Sequence, residues 1–202
     1  TGSATMEDAP NYYESEKGMT KARKKEGRPA ASLKRFAPSV LGMYLQMLLF
    51  FIFPTNFAIT ACTNETLTGN DITLIMVGLD VIAAIIGVVF GWMMKNMGRT
   101  VKYMAPLTFT IGYALFAMGV ATPLLLGGAF FVGLANGIGM PYLNTIASIK
   151  GGKDAATTVM PLISAAMYLG QFTSPLIVNP ISEALGGGNS PYLVGVIISI
   201  LF

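Results

Sequence analysis

Hydrophobic and polar positions fall in long blocks along this chain. Five apolar runs cover about 36–60, 72–94, 103–120, 124–149 and 155–182, and a sixth opens near Tyr192 and continues to Phe202. Residues 1–35 form a polar block of their own. A helix rises 1.5 Å per residue, so about 20 apolar residues cross a hydrocarbon core of roughly 30 Å. Each of the first five runs is near or above that length. The pattern predicts an all-α membrane protein, a six-helix transmembrane bundle over 36–202. The last helix, 192–202, would be truncated, reaching about half-way across a bilayer. With a first residue Thr1, no signal peptide and an end inside an apolar run, we expect a fragment of a longer protein.

Composition points the same way. The chain has 202 residues, of which 53% are hydrophobic and 11% charged. A soluble domain carries about 25% charge, so there is too little polar surface here to wrap a water-soluble core. The sequence is also too apolar for disorder. It contains no histidine, which excludes Ser-His-Asp and Cys-His nucleophile pairs and zinc sites with His ligands. Cys62 is the single cysteine, so an intrachain disulfide and a Cys metal cluster are excluded too. Pairings of Asp, Lys or Tyr could still support an enzyme, but none is evident within the spans, and no enzymatic activity is expected. No cofactor or metal is expected either. Gly137-x-Gly139 has Tyr142 where a dinucleotide fingerprint needs its third glycine, and Gly186-Gly187-Gly188 lacks the Lys-Ser/Thr of a phosphate loop. The triple glycine reads as a hairpin.

The position of the charges orients the bundle. Eight of the 13 Lys and Arg residues lie in 1–35, at Lys17, Lys21, Arg23, Lys24, Lys25, Arg28, Lys34 and Arg35. Lys95, Arg99 and Lys102 separate the second and third runs, and Lys150 and Lys153 the fourth and fifth. If every run spans, all of these fall on one side. The intervening segments 61–71, 121–123 and 183–191 hold Glu65, Asp71 and Glu183 and no cation. The positive-inside rule then places the N-terminal segment in the cytoplasm. That segment reads as a basic, disordered linker and not as a nucleic-acid arm, since no aromatic-basic interleaving accompanies it.

The junction after the second run reads Gly91-Trp-Met-Met-Lys-Asn-Met-Gly98-Arg99-Thr100-Val-Lys102. It resembles the cytoplasmic loop signature of the major facilitator superfamily, G-x-x-x-D-R-x-G-R-[RK], at Gly91, Gly98 and Arg99. Lys95 stands in place of the usual aspartate, Asn96 in place of the first arginine and Thr100 in place of the last basic residue. Asn136-Gly137-Ile-Gly139-Met-Pro141 is similar to the x-G-x-G stretch of that family, with Gly133 where a basic residue often stands. Gly170-Gln171-Phe172-Thr-Ser174-Pro175 is similar to a G-Q-F-x-S-P sequence common in bacterial members. The resemblance covers about 18–202 and implies the second six-helix half of a twelve-helix transporter in the inner (plasma) membrane. Its partners would be the lipid bilayer, the missing N-terminal half, a small-molecule substrate and protons. Inverted three-helix repeats are typical of such carriers. An offset of 83 pairs Asp71, Leu79, Ala83 and Gly87 with Asp154, Leu162, Ala166 and Gly170, a weak internal echo.

Asp80 is the one ionisable acid or base within a span. A carboxylate near the midplane costs at least a few kcal/mol and needs a partner or a water-filled cavity. Asp80, Ala84, Gly87 and Gly91 share a helical face whose small residues suggest close packing. Two readings stand for Asp80: ion coupling in a transporter, or a structural carboxyl that fixes helix packing. The amides are candidates for substrate contact, namely Gln46 in the first helix, Asn136 and Asn144 in the fourth, and Gln171 and Asn179 in the fifth. Interhelical hydrogen bonding is the competing role for each. Phe50, Phe53 and Phe57 share the face of Gln46 and are expected in the core. The resemblance implies that the first and fourth helices line a central cavity, that the second and fifth form a moving interface, and that Arg99, with Gly91 and Gly98, belongs to the cytoplasmic gate. The expected function is secondary transport of a small organic solute by alternating access, in the form of proton-coupled efflux. Sugar or nutrient uptake is the alternative within the family, and a channel or a structural membrane subunit the alternative outside it.

Overall fold

The computed structural model describes residues 33–65, 67–151 and 155–202. The chain separates into a unit up to Arg35 and a unit Phe36–Phe202, and it is the second that is described below. The expected disorder of the basic segment lies outside the described residues, as does Lys153.

Among the described residues every regular element is helical. The α-helices are α1 (Leu33–Ala61), α2 (Gly69–Met97), α3 (Val101–Met118), α4 (Thr122–Gly151), α5 (Met160–Ala184) and α6 (Ser190–Leu201). A 3-10 turn, Gly98–Thr100, joins α2 to α3, and a π-helical turn, Ala155–Val159, leads into α5. Four stretches are long and apolar enough to cross a membrane: Phe36–Ala61, Gly69–Met97, Thr122–Gly151 and Thr157–Ala184. The third and sixth expected spans correspond to helices of 18 and 12 residues.

The start of α2 is set by capping and not by hydropathy. The second apolar run begins at Ile72, but α2 begins at Gly69. There the Thr68 hydroxyl accepts from the Asp71 N–H, and the Asp71 carboxylate accepts from the Thr68 N–H at 2.9 Å. This reciprocal capping box satisfies two orphan donors at the helix start. At the other end Gly98 has φ +52°, a conformation that an L side chain disfavours. Its N–H still reaches the Met94 carbonyl.

The turns cluster at two ends. At one, the Asn64 side-chain amide donates to the Val120 carbonyl, and that of Asn189 donates to the Phe116 carbonyl at 3.2 Å. The α1–α2 and α5–α6 turns are thereby tied to the end of α3. The Gly186-Gly187-Gly188 turn, with φ of 102°, 70° and 62°, lies at this end. At the other end Ser39, Lys102 and Lys150 line one cavity, so the starts of α1 and α3 and the end of α4 converge there.

The core is an aromatic cluster around α1. Phe53 stacks on Phe57 with centroids 4.5 Å apart, and both meet Phe116 at 5.6 Å. Phe116 meets Tyr192 at 5.0 Å. Tyr113 is fully buried and donates its hydroxyl to the Leu49 carbonyl. Phe53 and Phe57 are thus core residues, as expected. Pro54 interrupts α1, and side chains just after it serve the carbonyls before it. Thr55 donates to Phe51 at 2.6 Å and Asn56 to Ile52 at 3.1 Å.

Candidate functional site

Glycines place the helix crossings. A Cβ on Gly133 would stand 2.8 Å from the Leu79 carbonyl oxygen, and one on Gly137 2.6 Å from that of Ala83. The two lie one turn apart on α4, so α2 and α4 touch backbone to backbone there. Gly139 meets the side-chain amide of Gln46 on α1, and Gly170 of α5 meets the Tyr44 carbonyl of α1. The glycines in the x-G-x-G and G-Q-F-x-S-P segments therefore act as contact points between helices, where the absence of a Cβ lets backbones approach. The contacts also cross over between the two triplets of helices: α2 packs on α4, and α5 on α1. In the 83-residue register Ala83 lies at such a contact and Ala166 is buried. Gly87 and Gly170 do not match, since nothing approaches Gly87 within 4 Å while Gly170 is buried.

Gln46 is fully buried at the α1–α4 crossing. Its Nε2 donates to the Ala135 carbonyl over a long 3.4 Å, and its Oε1 is buried without a partner. Asn136 is half-buried on α4, and its Oδ1 is likewise buried and unpaired. Gln46 and Asn136 thus meet the same stretch of α4, Gln46 bonding the residue just before Asn136. Asn144 lies two turns further along α4 and is half-buried. Gln171 points its Nε2 at the Met47 sulfur, 3.9 Å away, so it too faces α1. Asn179 Oδ1 is buried without a partner. Gln46 and Gln171 lie where α4 and α5 meet α1, and acceptor atoms of Gln46, Asn136 and Asn179 are buried without a partner. A buried polar atom without a partner costs about 1–3 kcal/mol, so these positions are poised to accept donors.

Asp80 stands apart from the amides. It is exposed, near the middle of the 29-residue α2. Its neighbours on that face, Ala84, Gly87 and Gly91, are exposed as well, with no atom near either glycine. The small-residue face that suggested packing is therefore open within this bundle, and α2 instead turns Ile72, Ile75, Leu79, Phe90 and Met93 inward. Around Asp80 the exposed side of α2 is largely apolar, with Leu74, Val77, Val81, Ile85, Val88 and Trp92 exposed. On α5, Tyr168, Leu169, Phe172 and Leu176 form a second exposed side. Of the expected gate, Gly91 lies on the open face and Gly98 forms the tight turn; the side chain of Arg99 lies outside the described residues.

Described residues line two cavities considered below, and none of Asp80, Gln46, Asn136, Asn144 or Gln171 lines either. One, about 370 Å³ and largely apolar, lies between α2 and α4 beside Asp71 and Thr122. The other, about 680 Å³, lies at the lysine-bearing end. Sequence reasoning missed several buried polar contacts. Ser174 donates to the Leu48 carbonyl at 2.8 Å, and Thr110 pairs with Ser199 at 2.9 Å. Single hydroxyls in apolar runs carry no local signal of their partners. No protein-family model matches this sequence, and no curated protein matches it.

Proposed function

We propose that the bundle is half of a secondary transporter that moves a small organic solute by alternating access, coupled to protons, as the resemblance to the major facilitator superfamily implies. The observation that carries this reading is Asp80. A carboxyl on the open, apolar face of a membrane-length helix is too costly to leave against lipid, and a second bundle placed over α2 would enclose it. The exposed apolar side of α5 supports the same arrangement. The crossed packing of α2 on α4 and of α5 on α1 suits two three-helix repeats related by inversion. The amides along α1, α4 and α5, with their open acceptor atoms, suit recognition of a polar solute once the second bundle completes the cavity. In this reading Gln46 and Asn136 contact substrate, Asp80 carries the proton between the two sides, and Arg99 belongs to the cytoplasmic gate.

The test uses the intact protein in proteoliposomes, with a screen of solutes for substrate-triggered proton flux. Asp80→Asn is expected to abolish that flux while substrate binding and folding persist. Equal flux in both proteins would make Asp80 structural. Transport of a solute with no proton movement would remove the coupling claim and leave a uniporter or a sodium-coupled carrier.

A further inference from the structure

We infer that the groove between α2 and α4, at the end of the bundle away from the lysines, is a binding site for a small amphipathic amine. This goes beyond the transport reading and does not depend on it. The groove, about 370 Å³, has apolar walls from both helices, with Leu74, Ile82, Leu126 and Phe130 among them. That volume is near the lower end of the range that takes drug-sized ligands, whose sites are mostly apolar with a few placed polar groups. We therefore commit to one amine with an alkyl or aromatic body and not to a two-chain lipid. Asp71 is the one charged residue in the lining. The segments 61–71, 121–123 and 183–191 hold no Lys or Arg, so none of them supplies a cation to compete for that carboxylate.

Two further observations mark the groove as prepared for a cation. Both Thr68 donors, its N–H at 2.9 Å and its hydroxyl at 2.6 Å, reach the same oxygen of Asp71, Oδ2. The capping box thus holds the carboxylate in place, while its Oδ1 accepts no hydrogen bond from the described residues. Gly78, about two turns along the same side of α2, leaves the floor of the groove open. A Cβ added there would meet nothing beyond its own helix backbone within 4 Å. At about 100° per residue, Asp71, Gly78 and Ile82 lie on the side of α2 opposite Asp80, so a bundle placed over Asp80 does not cover the groove. With its ammonium at Oδ1, the ligand lays its apolar body over Gly78, against Leu74 and Phe130.

The test uses the full chain in phosphatidylcholine nanodiscs and a dansyl-labelled hexylamine, with the matching hexanol as neutral control and empty nanodiscs subtracted. The amine should bind roughly fivefold tighter than the alcohol at low salt, the order expected of one charge pair open to water. Asp71→Asn, which keeps an acceptor for the Thr68 N–H, should remove that preference, and Asp80→Asn should keep it. Gly78→Leu, whose side chain enters open space, should abolish binding of both probes. Equal affinity for the two probes in the unmodified chain would overturn the site, as would a preference that survives Asp71→Asn or binding that survives Gly78→Leu. Loss of the preference in Asp80→Asn, alone or together with Asp71→Asn, would take the cation out of the groove. Displacement of the amine when phosphatidylethanolamine replaces part of the phosphatidylcholine would give the groove to a lipid headgroup, and the small-amine assignment would fall.

Discussion

The pair Gly137→Ala and Gly87→Ala tests the packing on which the rest depends. Both substitutions add one methyl group, and both positions lie in membrane-length helices. At Gly137 the new Cβ would stand 2.6 Å from the Ala83 carbonyl oxygen, 2.8 Å from Ile86 Cβ and 3.0 Å from Ala83 Cα, where ordinary contact begins at 3.4 Å. Two of those three atoms belong to backbone, so no rotamer change relieves the clash, and α2 and α4 must separate. Overpacking of this kind costs about 1–3 kcal/mol, a fall of roughly five- to 150-fold in the folding equilibrium constant. At Gly87 an added Cβ would meet nothing beyond its own helix backbone within 4 Å, and Ala is the better helix former by about 0.8–1 kcal/mol in water. Gly87→Ala should therefore be neutral or mildly stabilising in the isolated chain. The assay is SDS titration in mixed micelles, with the folded fraction read by limited proteolysis. The reasoning fails if Gly137→Ala unfolds with the unmodified chain, or if Gly87→Ala is the more damaging of the two.

Gln46→Leu should leave the stability of the isolated bundle unchanged or raise it by up to about 1 kcal/mol, since it removes an unpaired buried oxygen and a single long hydrogen bond; the same titration reads it, and a loss above about 1 kcal/mol would show that the amide holds α1 to α4. In transport, by contrast, Gln46→Leu should raise the substrate KM of the intact protein if the amide contacts solute. Cys62, exposed in the α1–α2 turn and the chain's single cysteine, should react with a membrane-impermeant maleimide added outside whole cells. In a Cys62→Ser background, Asn96→Cys, exposed at the other end of α2, should react only after permeabilisation, and the reverse pattern would invert the proposed orientation.

Helix number and approximate position were legible from hydropathy, because each helix is a block of apolar residues, and four of the described ones are long enough to cross a membrane. Boundaries were less so, because the Thr68–Asp71 capping box extends α2 into a polar turn. The roles of the glycines were legible only in part. Gly133 and Gly137 sit at a backbone contact while Gly87 and Gly91 face open space, although all four look alike in sequence. Gln46 and Gln171 fell on contacts between helices, but which amide acceptors remain unpaired depends on atoms of other helices. The cavity at the lysine-bearing end was not legible at all, since its lining comes from residues as far apart as Ser39, Lys102, Lys150 and Phe202.

The sequence by itself determined the class of the protein and the segregation of its charge, since both follow from local transfer free energies that each segment carries alone. Which face of each helix packs was decided only by the tertiary structure. A lipid-bound helix is apolar all round, so hydrophobicity does not distinguish the side that meets protein from the side that meets lipid. Contact geometry makes that distinction, through small residues meeting a backbone and single hydroxyls meeting a carbonyl. That geometry turned Leu79 and Phe90 inward on α2 and left Asp80 on its open face.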